Sequence, residues 1–227
     1  MIGTRIGTRV AVVEDHSLFA ESLEIALEME GHDVRRIILS EGGRSVSTLL
    51  PAILRAHPRV VLLDLDLGSY GNGVRLIDPL TRAGVNVVVV TASIDRGRWG
   101  ECLRYGARRV LAKSAPLNDI LATIRKINDG LPVISREERE ELLEHWHKQR
   151  LEVQVMRSRL EHLTHRESEV LGHLMDGHAV REIARLSVVS EATVRTQVKS
   201  ILSKLEVSSQ LAAVGLAHHV GWQPAVG

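Results

Sequence analysis

At 227 residues, 44% of them hydrophobic, the chain holds enough apolar material for the cores of two domains of ordinary size. Its 29 Lys and Arg against 28 Asp and Glu give a net charge of +1, which excludes a strongly basic protein and leaves nucleic-acid binding to local patches. The single cysteine, Cys102, excludes an internal disulfide and fits a reducing, cytoplasmic setting; no apolar run is long enough to span a bilayer or to serve as a signal-peptide core, so no membrane partner is expected.

After an opening MIGTRIGT, read as a ragged leader, strand-like and helix-like segments alternate from Arg9 onward. The runs RVAVVED, VRRIIL, RVVLLDLDL, NVVVVTAS and RRVLAKS are rich in Val, Ile and Leu. Helical patterns lie between and after them, over Leu18 to Met29, Val46 to Ala56, Val74 to Arg82, Trp99 to Tyr105 and Leu117 to Asn128. Alternation of this kind predicts an α/β fold with a five-stranded parallel sheet covered on both faces. Ligands of such sheets gather at the carboxyl ends of the strands. Those ends carry Glu14 and Asp15, Asp64, Thr91 and Lys113, so three acids, a hydroxyl and an amine would meet on one rim. Carboxylate oxygens suit a hard cation such as Mg²⁺, and one accessible carboxylate can attack a phosphoryl group. Taken singly, the same acids could instead cap helices or sit in solvated loops.

With the flanking E-D-H, L-L-D-L, V-V-T-A-S and L-A-K-S-A-P, residues 9–131 resemble the receiver domain of two-component response regulators. The resemblance implies a flavodoxin-like fold and phosphorylation of Asp64 by a cognate histidine kinase. It also implies a Mg²⁺ shell from Glu14, Asp15, Asp64 and the backbone carbonyl of Asp66, with Thr91 as switch hydroxyl and Lys113 as phosphate-pairing lysine. Three departures stand out. Glu14 replaces the commoner Asp. Gly68 stands where many receivers have Pro, in a loop to Gly73 that is one residue longer, which predicts a looser acceptor loop. Val110 occupies the place of the switch aromatic, and this keeps an orphan regulator with an unphosphorylated receiver as the alternative. The D-x-D of DLDLG also begins the motif of haloacid-dehalogenase-like phosphatases, but there it lies on the opening strand; Asp66 is therefore read as loop-facing, without proton-transfer work.

Pro132 is expected to end the last helical unit of this domain. Residues 135–162 are dense in charge and free of Gly and Pro, which predicts a helical linker. Leu142, Trp146, Gln149, Val153, Met156, Leu160 and Leu163 step by alternating four and three, a heptad seam with Gln149 as its polar insertion. Such a seam suits either a short intermolecular coiled coil or one amphipathic helix packed on its own domains.

From Leu163 to residue 220 four short helices are expected. Thr164 and Glu167 form a T-x-x-E capping box, Gly177 suits a C-cap, and a helix near Val180 to Leu186 turns Ile183 and Ala184 inward. Ser190 caps a helix over Glu191 to Leu205 whose open face carries Thr193, Arg195, Thr196, Gln197 and Lys199. Such a face suits the major groove, although soluble helices routinely carry similar ones. The segments L-T-x-R-E-x-E-V-L, E-I-A, S-x-x-T-V-R and I-L-x-K-L, in that order, resemble the DNA-binding domain of the LuxR/NarL family. The resemblance implies a transcription regulator rather than an enzyme, with double-stranded DNA as target and RNA polymerase as a further partner. Arg195, Thr196 and Lys199 would reach bases or groove; Thr193, Gln197 and Lys204 would touch or support the backbone contacts. Ser187 departs from the family's core Leu, and Leu186 is expected to take over its packing. Because one small helix-turn-helix contacts few base pairs, a homodimer on two half-sites is expected.

Overall fold

The computed structural model describes residues 7–39 and 45–224, so the first six residues of the expected leader lie outside the described residues. Two compact units divide at His147 and Lys148.

In the first unit, β1 (Arg9–Val13), β2 (Asp33–Arg36), β3 (Val60–Leu63), β4 (Asn86–Thr91) and β5 (Arg109–Ala112) form one parallel sheet in the order β2-β1-β3-β4-β5. Helices α1 (Ser17–Met29), α2 (Leu50–Arg55), α3 (Val74–Arg82), α4 (Arg96–Arg104) and α5 (Leu117–Asn128) cover it. Successive strand residues point to opposite faces, and both faces are apolar. Val10, Val12, Leu62 and Val88 pack with Leu23 of α1 and Ile124 of α5. Ala11, Val13, Leu63 and Val89 pack with Ile53, Ile77 and Leu103 of α2, α3 and α4. Cys102 lies inside this second core, where burial pushes its thiol up to about 12 and leaves it inert.

Several boundaries differ from expectation. β2 stops at Arg36 instead of running to Leu39; it is an edge strand, and Ile38 beyond it is exposed. A 3₁₀ turn over Val46–Leu49 precedes α2, and Pro51, which lacks an amide donor, stands in the first turn of the α-helix proper. α4 starts at Arg96, three residues before the expected Trp99, because the Asp95 carboxylate accepts from Gly97 N (2.9 Å) and Arg98 N (3.2 Å). α5 ends at Asn128, with Gly130 at φ +70°; Pro132 is not its stop.

A single helix, α6 (Arg136–Glu161), follows. Its N-terminal part belongs to the first unit and its C-terminal part to the second. Leu142 is buried in the core beneath α3 and α4. A Cβ on Gly100 of α4 would stand 2.0 Å from the Leu142 carbonyl oxygen, so only glycine permits this approach. Arg139 donates to the Leu103 carbonyl (3.2 Å), and Arg96 pairs with Glu141 (2.9 Å). At the other end Val153, Met156, Leu160 and Leu163 join the core of the second unit. The ends of the heptad seam, Leu142 and Leu160 with Leu163, are buried within the chain, while Trp146, Val153 and Met156 are half-buried and Gln149 is exposed.

The second unit holds α7 (His165–Met175), α8 (Val180–Leu186), α9 (Glu191–Leu205) and α10 (Gln210–His219). The Thr164–Glu167 capping box forms, Gly177 takes φ +84° after α7, and Ser190 accepts from Thr193 N at 3.0 Å. Val170, Leu171, Ile183, Ala184, Val194, Val198, Ile201 and Leu205 share one core. Leu186 does not join it. Val188 takes φ +53°, Val189 N bonds the Ala184 carbonyl (2.9 Å), and this tight reversal leaves Leu186 57% exposed. Among the described residues no helix is long and apolar enough to cross a membrane.

Candidate functional site

Parallel pairing puts the carboxyl ends of β1, β3, β4 and β5 on one rim. Val13 lies beside Leu63, and Asp64 N donates to the Val13 carbonyl (3.0 Å), which sets Glu14 and Asp64 side by side. On the far strands Lys113 N donates to the Thr91 carbonyl at 2.8 Å. The switch in strand order between β1 and β3 opens the crevice at this point.

Lys113 bridges the two acids, its Nζ lying 2.7 Å from Glu14 Oε1 and 2.7 Å from Asp64 Oδ2. The other Asp64 oxygen accepts from Leu65 N at 2.6 Å. Burial pushes the Glu14 carboxyl above its usual range, although Lys113 and the His16 amide partly offset it. Burial opposes the Lys113 charge, yet the Asp64 and Glu14 carboxylates hold its pKa above the ordinary lysine value. Thr91 is buried, and its hydroxyl oxygen accepts from Ser93 N at 3.1 Å.

Glu14, Asp15, Asp64 and His16 each offer a ligand atom within 4.8 Å of the others. Three carboxylates make an oxygen donor set that fits a hard divalent cation. His16 was not singled out from the sequence. Its Nδ1 lies 2.9 Å from Asp15 Oδ1 and 3.2 Å from Glu14 Oε1, and its place directly after the acidic pair is the signal that would have found it. Asp66 turns its side chain outward to Arg98 (2.9 Å), as a loop-facing acid should.

Gly68 takes φ +55°, a conformation closed to proline. The loop after Asp64 is tied, not loose: Asp66 bridges Asn72, Leu67 N bonds the Gly71 carbonyl (3.1 Å), and Gly73 N bonds the Leu65 carbonyl (2.8 Å). Val110 is buried among Cys102 and Leu103, so no aromatic ring stands at this point of β5.

On α9, Arg195, Thr196 and Lys199 are exposed. Thr196 bonds back to the Ala192 carbonyl (3.0 Å), and Arg195 pairs with Glu191 one turn earlier (3.4 Å). Lys199 makes no hydrogen bond or ion pair among the described residues. The remaining three predicted residues are engaged or half-covered. Thr193 shares a hydrogen bond with the Ser190 hydroxyl (2.9 Å), and Gln197 is half-buried. Lys204, expected to touch or support the backbone contacts, has its ammonium tied to Glu167 (2.6 Å) and the His162 carbonyl (3.2 Å). Arg181 and Arg185 on α8 are exposed cations that the sequence reading passed over.

Residues 10–125 match the model of the response regulator receiver domain, and residues 161–217 match that of the bacterial regulatory proteins of the luxR family. The transcriptional regulatory protein DesR of Bacillus subtilis is 24% identical over 213 residues, 94% of this chain and 98% of that protein. A nitrate/nitrite response regulator protein homolog of Haemophilus influenzae is 26% identical over 210 residues, 92% of this chain and 95% of its own length. Among solved structures, Salmonella enterica RcsB bound to a promoter matches with a TM-score of 0.50 at 22% identity, over 92% of this chain and 97% of that one. A LuxR-family regulator from Aurantimonas matches with a TM-score of 0.50 at 16% identity, over 64% of this chain and 99% of its own, and both likenesses bear on the fold. With a receiver followed by a LuxR-type helix-turn-helix, the chain belongs to the NarL/LuxR family of DNA-binding response regulators.

Proposed function

We propose that this regulator is switched by phosphoryl transfer from a histidine kinase to Asp64. The observation that carries the reading is the Asp64 carboxylate, buried and held 2.7 Å from the Lys113 ammonium beside Glu14 and Asp15. In the transfer a carboxylate oxygen of Asp64 bonds to phosphorus as the phosphorus–nitrogen bond to the kinase imidazole breaks. The product is an acyl phosphate. Lys113, now shared between two acids, is free to pair with the new phosphoryl oxygens, and the Thr91 hydroxyl can donate to one of them. Glu14, Asp15, Asp64 and the Asp66 carbonyl would hold Mg²⁺, which when bound neutralises charge on the phosphoryl group. Output then runs through α9, with Arg195, Thr196 and Lys199 toward bases or groove and Thr193 and Gln197 supporting.

A homodimer suits two half-sites, and the ends of the α6 seam are packed within the chain, Leu142 in the first unit and Leu160 and Leu163 in the second. Leu18, Ile25 and Met29 are exposed on one stripe of α1 and supply a face for pairing.

The test is intact mass after incubation with Mg²⁺ and a small phosphodonor, beside Asp64→Asn. We expect one phosphoryl group on the wild type and none on the variant. A second reading, an orphan regulator with constitutive DNA binding, is favoured by Val110 buried where a moving aromatic would transmit the switch. No addition together with no Mg²⁺ binding would select it.

A further inference from the structure

We propose that His173, Asp176 and His178 form a site for a divalent transition-metal ion of the zinc type at the C-terminal end of α7. The site lies in the second unit.

The backbone builds it. His173 is in the last turn of α7, Asp176 is its C-cap, and Gly177 reverses the chain with φ +84°. That reversal lets His178 N donate to the His173 carbonyl at 3.0 Å, while Gly177 N bonds the Leu174 carbonyl at 3.1 Å. Two imidazoles five residues apart are thereby set together, their ring centroids 5.4 Å apart and inclined at 68°. One ligand atom from each imidazole and one from the Asp176 carboxylate lie within 4.8 Å of each other. The Nδ1 of His178 is buried and has no hydrogen-bond partner among the described residues, an arrangement that burial ordinarily penalises.

Chemistry selects the ion. Two imidazoles with one carboxylate suit Zn²⁺, Co²⁺ or Ni²⁺ and leave a position for water, whereas Mg²⁺ takes oxygen. The helix dipole adds to this, because the carbonyl end of α7 favours positive charge. Ligand atoms around a tetrahedral ion at about 2.1 Å stand about 3.4 Å apart. Modest rotamer changes therefore close the site, and exposed Asp176 is free to make them. The bound ion would pin the end of α7 to the turn that leads into α8.

The experiment is a titration of the full-length protein with Co²⁺, read by its d–d absorption and reversed with Zn²⁺, in excess Mg²⁺ to occupy the carboxylates of the receiver. Wild type and Asp64→Asn should both show the absorption of imidazole-ligated Co²⁺, and the double variant His173→Gln, His178→Gln should lose it while keeping its far-ultraviolet circular dichroism. Absence of the signal from wild type, or its survival in the folded double variant, overturns the proposal. Loss of the signal in Asp64→Asn alone also overturns it, because the ion would then sit on the receiver. Should the double variant not fold, Asp176→Asn decides: weaker Co²⁺ binding supports the site, and unchanged affinity removes it.

Discussion

Glu167 shows how much one buried carboxylate can organise. It accepts from Thr164 N (2.7 Å), the Thr164 hydroxyl (2.9 Å), the Ser200 hydroxyl (2.6 Å) and Lys204 Nζ (2.6 Å). Burial opposes its charge, yet these donors hold the carboxyl at about 2. A folded pKa below the ordinary carboxylate value contributes stability that is present above about pH 4.5 and lost as pH falls toward 2. The linked contribution is roughly 3 kcal/mol. Glu167→Gln should therefore flatten the fall in stability of the DNA-binding unit across that window, as read by urea unfolding at a series of pH values; an unaltered profile would place the acid sensitivity elsewhere. Lys199 is the contrasting cation. It is exposed and makes no hydrogen bond or ion pair among the described residues, so it remains available to phosphate or base. Lys199→Ala should weaken DNA binding and lower the slope of log affinity against log salt by about 1. A binding assay with the same slope in both proteins would remove Lys199 from the interface. The pattern of α9 puts Lys199 and not Lys204 on the open face, but it does not show the carboxylate on α7 that holds Lys204.

Among the elements, α6 is the one whose pattern left its covering surface open. The periodicity of Leu142, Trp146, Val153, Met156, Leu160 and Leu163 predicts an apolar seam, and the helix carries it, but a period does not name the surface that covers it. The covering surfaces are α4 at one end and the helical core of the second unit at the other. Gly100 carries the close contact with the Leu142 carbonyl. Gly100→Val must push α6 off α4 or distort it, and should destabilise the first unit by about 1–3 kcal/mol in urea unfolding. Full stability in that variant would mean that α6 can move off α4 at Gly100 without cost. Shorter elements follow the same logic. Asp95 starts α4 early through its own side chain, and the αL turn at Val188 turns Leu186 away from the core that its composition suits.

At the scale of the whole molecule, the alternation of apolar runs and helical patterns already determined a parallel sheet, a rim of Glu14, Asp15, Asp64, Thr91 and Lys113, and a second unit of short capped helices. These features are legible because side-chain periodicity and capping are local properties of the chain. The exposed polar face of α9, with Arg195, Thr196 and Lys199, was legible for the same reason. Other features needed the tertiary structure. His16 meets Glu14 and Asp15 locally, but it comes near Asp64 only because β1 and β3 are neighbours. Lys204 is held by Glu167, the ends of the α6 seam are buried from within, and Gly68 gives the loop after Asp64 a tied turn. Each of these depends on a contact between residues distant in sequence or on a backbone angle that a neighbour imposes. Local pattern states what a segment can bury or bind, and the packing of segments decides which partner it meets.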